Sequence, residues 1–218
     1  IWTKVNPSQS SPKNKIHQVY DGTQRMLGLM PIGSESDTNT EIKLNFFFGT
    51  SLQYINNWQN KNLLEWKAEV LNVSKDFKQY TDQIESKDDL VCGPYFDVWA
   101  KKYYQDNFLF IGDAAHAMGP HLSSGTNLGL LDALCLDQLF TDTTDHKSVF
   151  VDFQKQREDQ LKYYQSISRY ITPYFQSETD KSFVRSYILK YLYKLPKVSD
   201  IMVQTITGRR KTMFDTLP

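Results

Sequence analysis

The stretch FLFIGDAAHAMGPHLSSGTNLGLLDALCL, Phe108 to Leu136, constrains folding more than any other part of this 218-residue chain. Four apolar residues, Phe108–Ile111, read as a buried strand that ends on Gly112-Asp113. A loop punctuated by Gly119 and Pro120 follows, and a helix is expected over Gly125–Phe140. That order aims the Asp113 carboxylate and a helix N-terminus at one small volume. N–H groups of a first helical turn have no partner inside the helix, and the macrodipole makes that end electropositive. A ligand suited to the place carries hydroxyls for Asp113 and an electron-rich or anionic edge for the helix.

These residues resemble the second flavin-binding motif of the FAD-dependent aromatic hydroxylases, the group typified by p-hydroxybenzoate hydroxylase. That motif has a Gly-Asp pair after a strand, then Ala-Ala-His, a proline loop, and Gly-x-Asn opening a helix. Here it reads Gly112-Asp113-Ala114-Ala115-His116, Pro120 and Gly125-Thr126-Asn127. Strand, loop, helix and spacing agree together, which bare pattern matches rarely do. One departure is Ser123-Ser124, where the family often has Gly-Gln. A flavin, with its ribityl chain and N1–C2=O edge, has both features the volume asks for. The resemblance implies FAD as cofactor and NAD(P)H as co-substrate. It also implies a small organic, aromatic-type substrate hydroxylated with O2. A flavin-dependent halogenase or other oxidase on the same scaffold is the alternative within the class. A non-catalytic binding domain is the alternative outside it.

Composition narrows the other classes. Basic and acidic residues balance at 25 each, so no electrostatic case exists for nucleic acid or an anionic membrane surface. No apolar run approaches the ~20 residues that span a bilayer. Cys92 and Cys135 lie far apart without metal spacing, and a reduced, cytoplasmic protein is the expectation. None of the ten glycines forms a Gly-x-Gly-x-x-Gly set. With that fingerprint absent, the resemblance implies an α+β or α/β fold: a substrate-domain β-sheet, the C-terminal part of an FAD-binding domain, and terminal helices, with the N-terminal Rossmann half missing. The boundaries expected are 1–100 for the substrate-side sheet and helices, 101–145 for the FAD-binding part, and 146–218 for the helical tail.

Strands are expected at Ile1–Val5, Ile16–Tyr20, Arg25–Pro31 and Glu41–Phe48, the last two as a hairpin around Gly33–Asn39. The continuous run Phe46-Phe47-Phe48 suggests a strand covered on both faces. Helices are expected over Lys61–Val73, with an apolar face of Leu63, Leu64, Val70 and Leu71, and over Ser74–Ile84, capped by Ser74. Phe96–Ala100 reads as a strand. Helix Gly125–Phe140 carries a stripe of Leu128, Leu131, Leu134, Cys135 and Leu139. In the tail, Val149–Ile171 stops before Pro173, Ser182–Leu195 before Pro196, and Val198–Thr207 before Gly208.

Each candidate residue also has an ordinary structural use. Asp113 is a capping aspartate or, by the resemblance, the acceptor for a ribityl hydroxyl. Gly112 supplies the turn. Ser124, Gly125, Thr126 and Asn127 form a plain helix start or present backbone amides to the flavin pyrimidine edge. Pro120 stiffens the loop or, as in the family, lies near the reacting face of the ring. His116 reads as a structural residue behind the site, and His121, beside Pro120, as a possible substrate contact. Their spacing of five does not match the helical pairing of zinc motifs, so no metal is expected. Asp132 and Arg157 read as an intramolecular polar contact, and Gly208–Lys211 as a solvated basic terminus. Met30, Phe46 and Phe48 are candidates to roof the substrate, although apolar strand residues are most often core. No Ser-His-Asp set, Cys-His pair or paired carboxylates appear, so no catalytic side chain is expected.

Overall fold

A computed structural model describes residues 1–34, 42–58, 60–142, 145–192 and 194–216. The chain forms two compact units, Ile1–Pro94 with Tyr174–Phe183, and Tyr95–Pro173 with Val184–Pro218. Among the described residues no helix is long and apolar enough to cross a membrane.

The first unit is a four-stranded antiparallel sheet, β1 (Trp2–Val5), β2 (His17–Asp21), β3 (Arg25–Gly33) and β4 (Lys43–Gly49), in the order β1-β4-β3-β2. The hairpin of β3 and β4 forms as the sequence suggests, with Leu27 opposite Phe48 and Leu29 opposite Phe46. Residues 35–41 of its turn lie outside the described residues. Strand β4 alternates: Leu44, Phe46 and Phe48 are fully buried, whereas Phe47 is half-buried on the opposite face. The expectation of a strand covered on both faces holds fully for one face and in part for the other, because strand side chains point alternately to opposite sides. Phe47 instead lies over Gly28, where an added Cβ would sit 1.9 Å from the ring tip.

Helices α1 (Leu52–Trp58), α2 (Leu63–Val73) and α3 (Lys78–Thr81) follow. Helix α1 was not expected, and α2 begins two residues later than Lys61. Asn62 caps α2 through a box in which its side chain accepts from Glu65 N–H and the Glu65 side chain accepts from Asn62 N–H. This helix buries Val70 and packs Leu63 against the core as expected, but Leu64 faces solvent and Trp66, not among the expected residues, fills the core in its place. Ser74 makes no side-chain cap. A 3-10 turn, Lys75–Phe77, interrupts what was expected as one helix. The segment Tyr174–Phe183 returns to the sheet through Ser177 N–H to Thr23 O (2.8 Å) and Gln24 Nε2 to Glu178 O (2.7 Å).

The second unit begins with Tyr95–Ala100 as extended chain, not the expected strand. Its Val98 and Ala100 N–H groups donate to Ala117 and Ala115 carbonyls. A two-residue hairpin pairs β5 (Tyr104–Gln105) with β6 (Phe108–Leu109), turning at Asp106 with φ 52°. Strand β6 is therefore shorter than expected, and it is exposed rather than buried: Phe108 shows 71% of its surface, and Phe110 and Ile111 are also exposed. Its ladder is satisfied by the hairpin alone. Helices α4 (Asp113–His116), α5 (Gly125–Asp142), α6 (His146–Phe175), α7 (Ser182–Leu192) and α8 (Pro196–Ile206) complete the chain. Helix α5 buries Leu128, Asp132 and Cys135 but exposes Leu134, correcting one member of the expected stripe. Helix α6 runs through Pro173 rather than ending before it. The Thr172 hydroxyl donates to Ser168 O (2.7 Å) in the turn that the proline disturbs. Helix α7 ends earlier than expected, and α8 starts earlier, at Pro196, where a missing N–H costs nothing.

Candidate functional site

Gly112 follows β6 with φ 55° and ψ −140°, a conformation side chains rarely tolerate. Its carbonyl accepts from Ala115 and His116 N–H (3.0 and 2.9 Å), so the chain turns straight into α4. That sharp turn leaves Asp113 exposed at the start of α4. Twelve residues on, α5 begins at Gly125. A Cβ built there would have the Asp113 Oδ1 at 3.9 Å as its nearest neighbour. The carboxylate and the helix tip thus share one open volume.

The tip keeps its donors free of intrahelical use. The first such bond is Leu128 N–H to Ser124 O (2.9 Å), which leaves the amides of Gly125, Thr126 and Asn127 ahead of it. Ser124 is buried, but its hydroxyl donates back to Leu122 O (2.9 Å). Between the two elements runs the loop Gly119–Ser123, with Ser123 left-handed at φ 51°. Pro120 opens a 3-10 turn there and is exposed. Ser168 on α6 donates its hydroxyl to Gly119 O (3.4 Å), docking the loop.

Behind this volume lies a buried polar cluster. Asp132 on α5 is fully buried and accepts from three groups: Gly112 N–H (2.9 Å), His116 Nε2 (2.6 Å) and Arg157 Nε (2.8 Å). Burial by itself pushes this carboxyl up, but the hydrogen bonds from His116, Gly112 and Arg157 outweigh it and hold the group below the usual carboxylate range. Arg157 also donates to Leu128 O (3.2 Å) and to Gln160, whose amide reaches Gly208 O (3.1 Å) and Arg210 O (2.9 Å). Asp132 therefore fixes the peptide that aims Asp113. The expected polar contact of Asp132 with Arg157 forms. Its extension to Gly112 was not anticipated, although a lone carboxylate inside the α5 apolar stripe was the available signal.

His121 is held close to this loop, and burial pulls its pKa down to about 4 from an ordinary 6.5. Unfolded chain then binds a proton that the folded chain refuses between those values. Stability falls as pH drops from 6.5 towards 4, by on the order of 2–3 kcal/mol for the full window. Denaturation of His121→Gln is expected to lose that part of the pH dependence. An unchanged slope between pH 7 and pH 4 contradicts the assignment.

The other candidates belong to the first unit. Phe46 and Phe48 are wholly enclosed beneath the sheet of the first unit. Met30 lies on the sheet's opposite face, paired in register with Asn45. Asn45 Oδ1 is buried and makes no hydrogen bond among the described residues.

Residues 23–182 match a protein family described as FAD binding domain. A 49-residue stretch is 43% identical to kynurenine 3-monooxygenase of Myxococcus xanthus, covering 22% of this chain and 11% of that protein. The fold is similar to PqsL, a probable FAD-dependent monooxygenase of Pseudomonas aeruginosa, with TM-score 0.60 and 15% identity over 80% of this chain and 48% of that one. It is also similar to HpxO of Klebsiella pneumoniae, solved with FAD and uric acid, with TM-score 0.63 and 13% identity over 95% and 52%. The chain thus spans about half the length of these solved relatives.

Proposed function

The chain belongs to the FAD binding domain family, and we propose that it is part of a flavoprotein monooxygenase whose flavin is gripped by Asp113 and the N-terminus of α5. One observation carries this reading: the exposed Asp113 carboxylate lies beside Gly125, at the end of an 18-residue helix whose leading amides have no intrahelical acceptor.

The residues present suit FAD. A carboxylate accepts from ribityl hydroxyls, a row of amides meets the electron-rich pyrimidine edge, and glycine at 125 leaves room for a planar ring to approach. When bound, FAD reduced by NAD(P)H would supply the two electrons needed to put one O2 atom into the substrate and release the other as water. This chain's own residues position and tune. The α5 dipole favours negative charge at the pyrimidine edge by about 0.3–1 kcal/mol, up to ~2 when partly buried. Pro120, within the loop Gly119–Ser123, would stand beside a bound ring, and His121, neutral at pH 7, would present an uncharged ring to an organic substrate. On the sheet of the first unit, Met30 remains a substrate candidate, partly exposed and paired in register with Asn45.

A small electron-rich aromatic substrate follows from the family resemblance. The test uses the full-length protein, assayed for NAD(P)H consumption with a panel of aromatic compounds under 18O2. Consumption stimulated by a compound that gains one labelled oxygen supports the reading. Halide-dependent product without label favours a halogenase, and FAD-free inert protein removes the reading.

A further inference from the structure

The first unit carries a charged cleft that the cofactor reading leaves unused. It opens to about 950 Å³ between the loop ending at Lys15 and the helical segment Lys75–Asp82. Lys13 and Lys15 line one wall, Lys75 and Lys78 the other, and all four are exposed. Two carboxylates oppose them, Asp76 and Asp82, and Lys78 engages Asp82 at 2.6 Å. Lys13, Lys15 and Lys75 form no ion pair among the described residues. The chain as a whole is neutral, so this excess of positive charge is local.

The walls are tied together rather than merely adjacent. Asn6 N–H donates to Gln83 Oε1 (2.7 Å), and Gln83 Nε2 returns a bond to Asn6 O (3.1 Å). Gln79 Nε2 donates to the Ser10 hydroxyl (3.2 Å), and the Tyr80 hydroxyl bonds Ser11 (2.8 Å). Holding a charged loop in place before binding lowers the ordering cost of capture. Beneath the cleft Leu29 and Phe77 belong to the buried core, and the exposed His17 ring stacks on Phe77 at 5.9 Å and 21°.

We propose that this cleft binds a phosphomonoester of nucleotide size. Its volume falls in the range of small-molecule sites and exceeds what an inorganic ion fills. Four lysines against two carboxylates leave an excess matching the roughly −1.5 to −2 charge of a phosphate monoester at pH 7. The exposed His17 ring, backed by Phe77, offers one flat face for an organic moiety. This inference is independent of the flavin reading and concerns different residues.

The test titrates the full-length protein with AMP, inorganic phosphate and adenosine by calorimetry. AMP is expected to bind saturably, with affinity falling as NaCl rises, since exposed charges are screened beyond a Debye length of ~8 Å at 0.15 M. Lys13→Ala with Lys15→Ala, or Lys75→Glu, is expected to weaken AMP about tenfold or more, while Lys147→Ala changes nothing. Because these lysines are exposed, the variants fold. Inorganic phosphate binding as tightly as AMP would show that the organic moiety adds nothing, and adenosine binding as tightly would show that the phosphate adds nothing; either result overturns the proposal. Absent binding, or AMP binding indifferent to salt and to the lysines, overturns the proposal.

Discussion

Asp132→Asn is expected to lower the stability of the second unit by about 3–5 kcal/mol, the cost of removing one partner from a buried charged pair. The replacement keeps the side-chain shape, removes the charge and turns one of the two acceptor oxygens into a donor that faces Arg157 on one side or His116 and Gly112 on the other. Arg157, itself buried, then has no anion, and His116 Nε2 and Gly112 N–H lose a charged acceptor. Chemical denaturation followed by circular dichroism measures the loss, with exposed Asp137→Asn as the control that should stay within about 0.5 kcal/mol. The pH dependence gives a second readout. A depressed folded pKa contributes stability above the ordinary carboxyl value of 3.8, and this is lost as pH falls through the folded value. Wild-type protein should show that acid-side slope, and Asp132→Asn should lack it. A variant as stable as wild type would mean that Arg157 finds its neutralisation elsewhere.

Trp66→Ala should cost about 3–5 kcal/mol in the first unit, the usual range for emptying a large aromatic site. Trp66 is fully buried and meets Phe46, Phe48 and Trp58 edge to face, at centroid distances of 5.9, 6.3 and 5.9 Å. Those three rings cannot collapse into the space without leaving their own partners. Trp66→Phe is expected to cost much less, because the indole Nε1–H makes no hydrogen bond among the described residues. If both variants lose equal stability in urea, ring volume is not what Trp66 supplies.

What the sequence made legible was local. Gly112-Asp113 and Gly125 mark a turn and a helix start whose geometry is set by their own backbone preferences, and both stand where they were expected. The sheet followed for the same reason, since alternation and turn residues are written within each strand. Distance and competition hid the rest. Ser74 is a sound capping residue, yet Phe77 and Tyr80 are drawn into the core and force a tighter turn. Pro173 usually ends a helix, but α6 continues around it. The Phe46-Phe47-Phe48 run looked uniform because hydropathy does not register that Phe47 rests on Gly28 across the strand pair. His116, Asp132 and Arg157 were each noticed, but residues 16 and 25 positions apart converge on one carboxylate only through the fold.

The most direct measurement is the 450 nm absorbance retained after the full-length protein is loaded with FAD and passed through gel filtration, compared with Asp113→Ala. Wild type should elute yellow, and the variant should bind FAD at least roughly tenfold more weakly with its circular dichroism unchanged, as loss of a charge-assisted bond of ~1.5–3 kcal/mol requires. Equal flavin occupancy in the two proteins would contradict the assignment of that carboxylate to the cofactor.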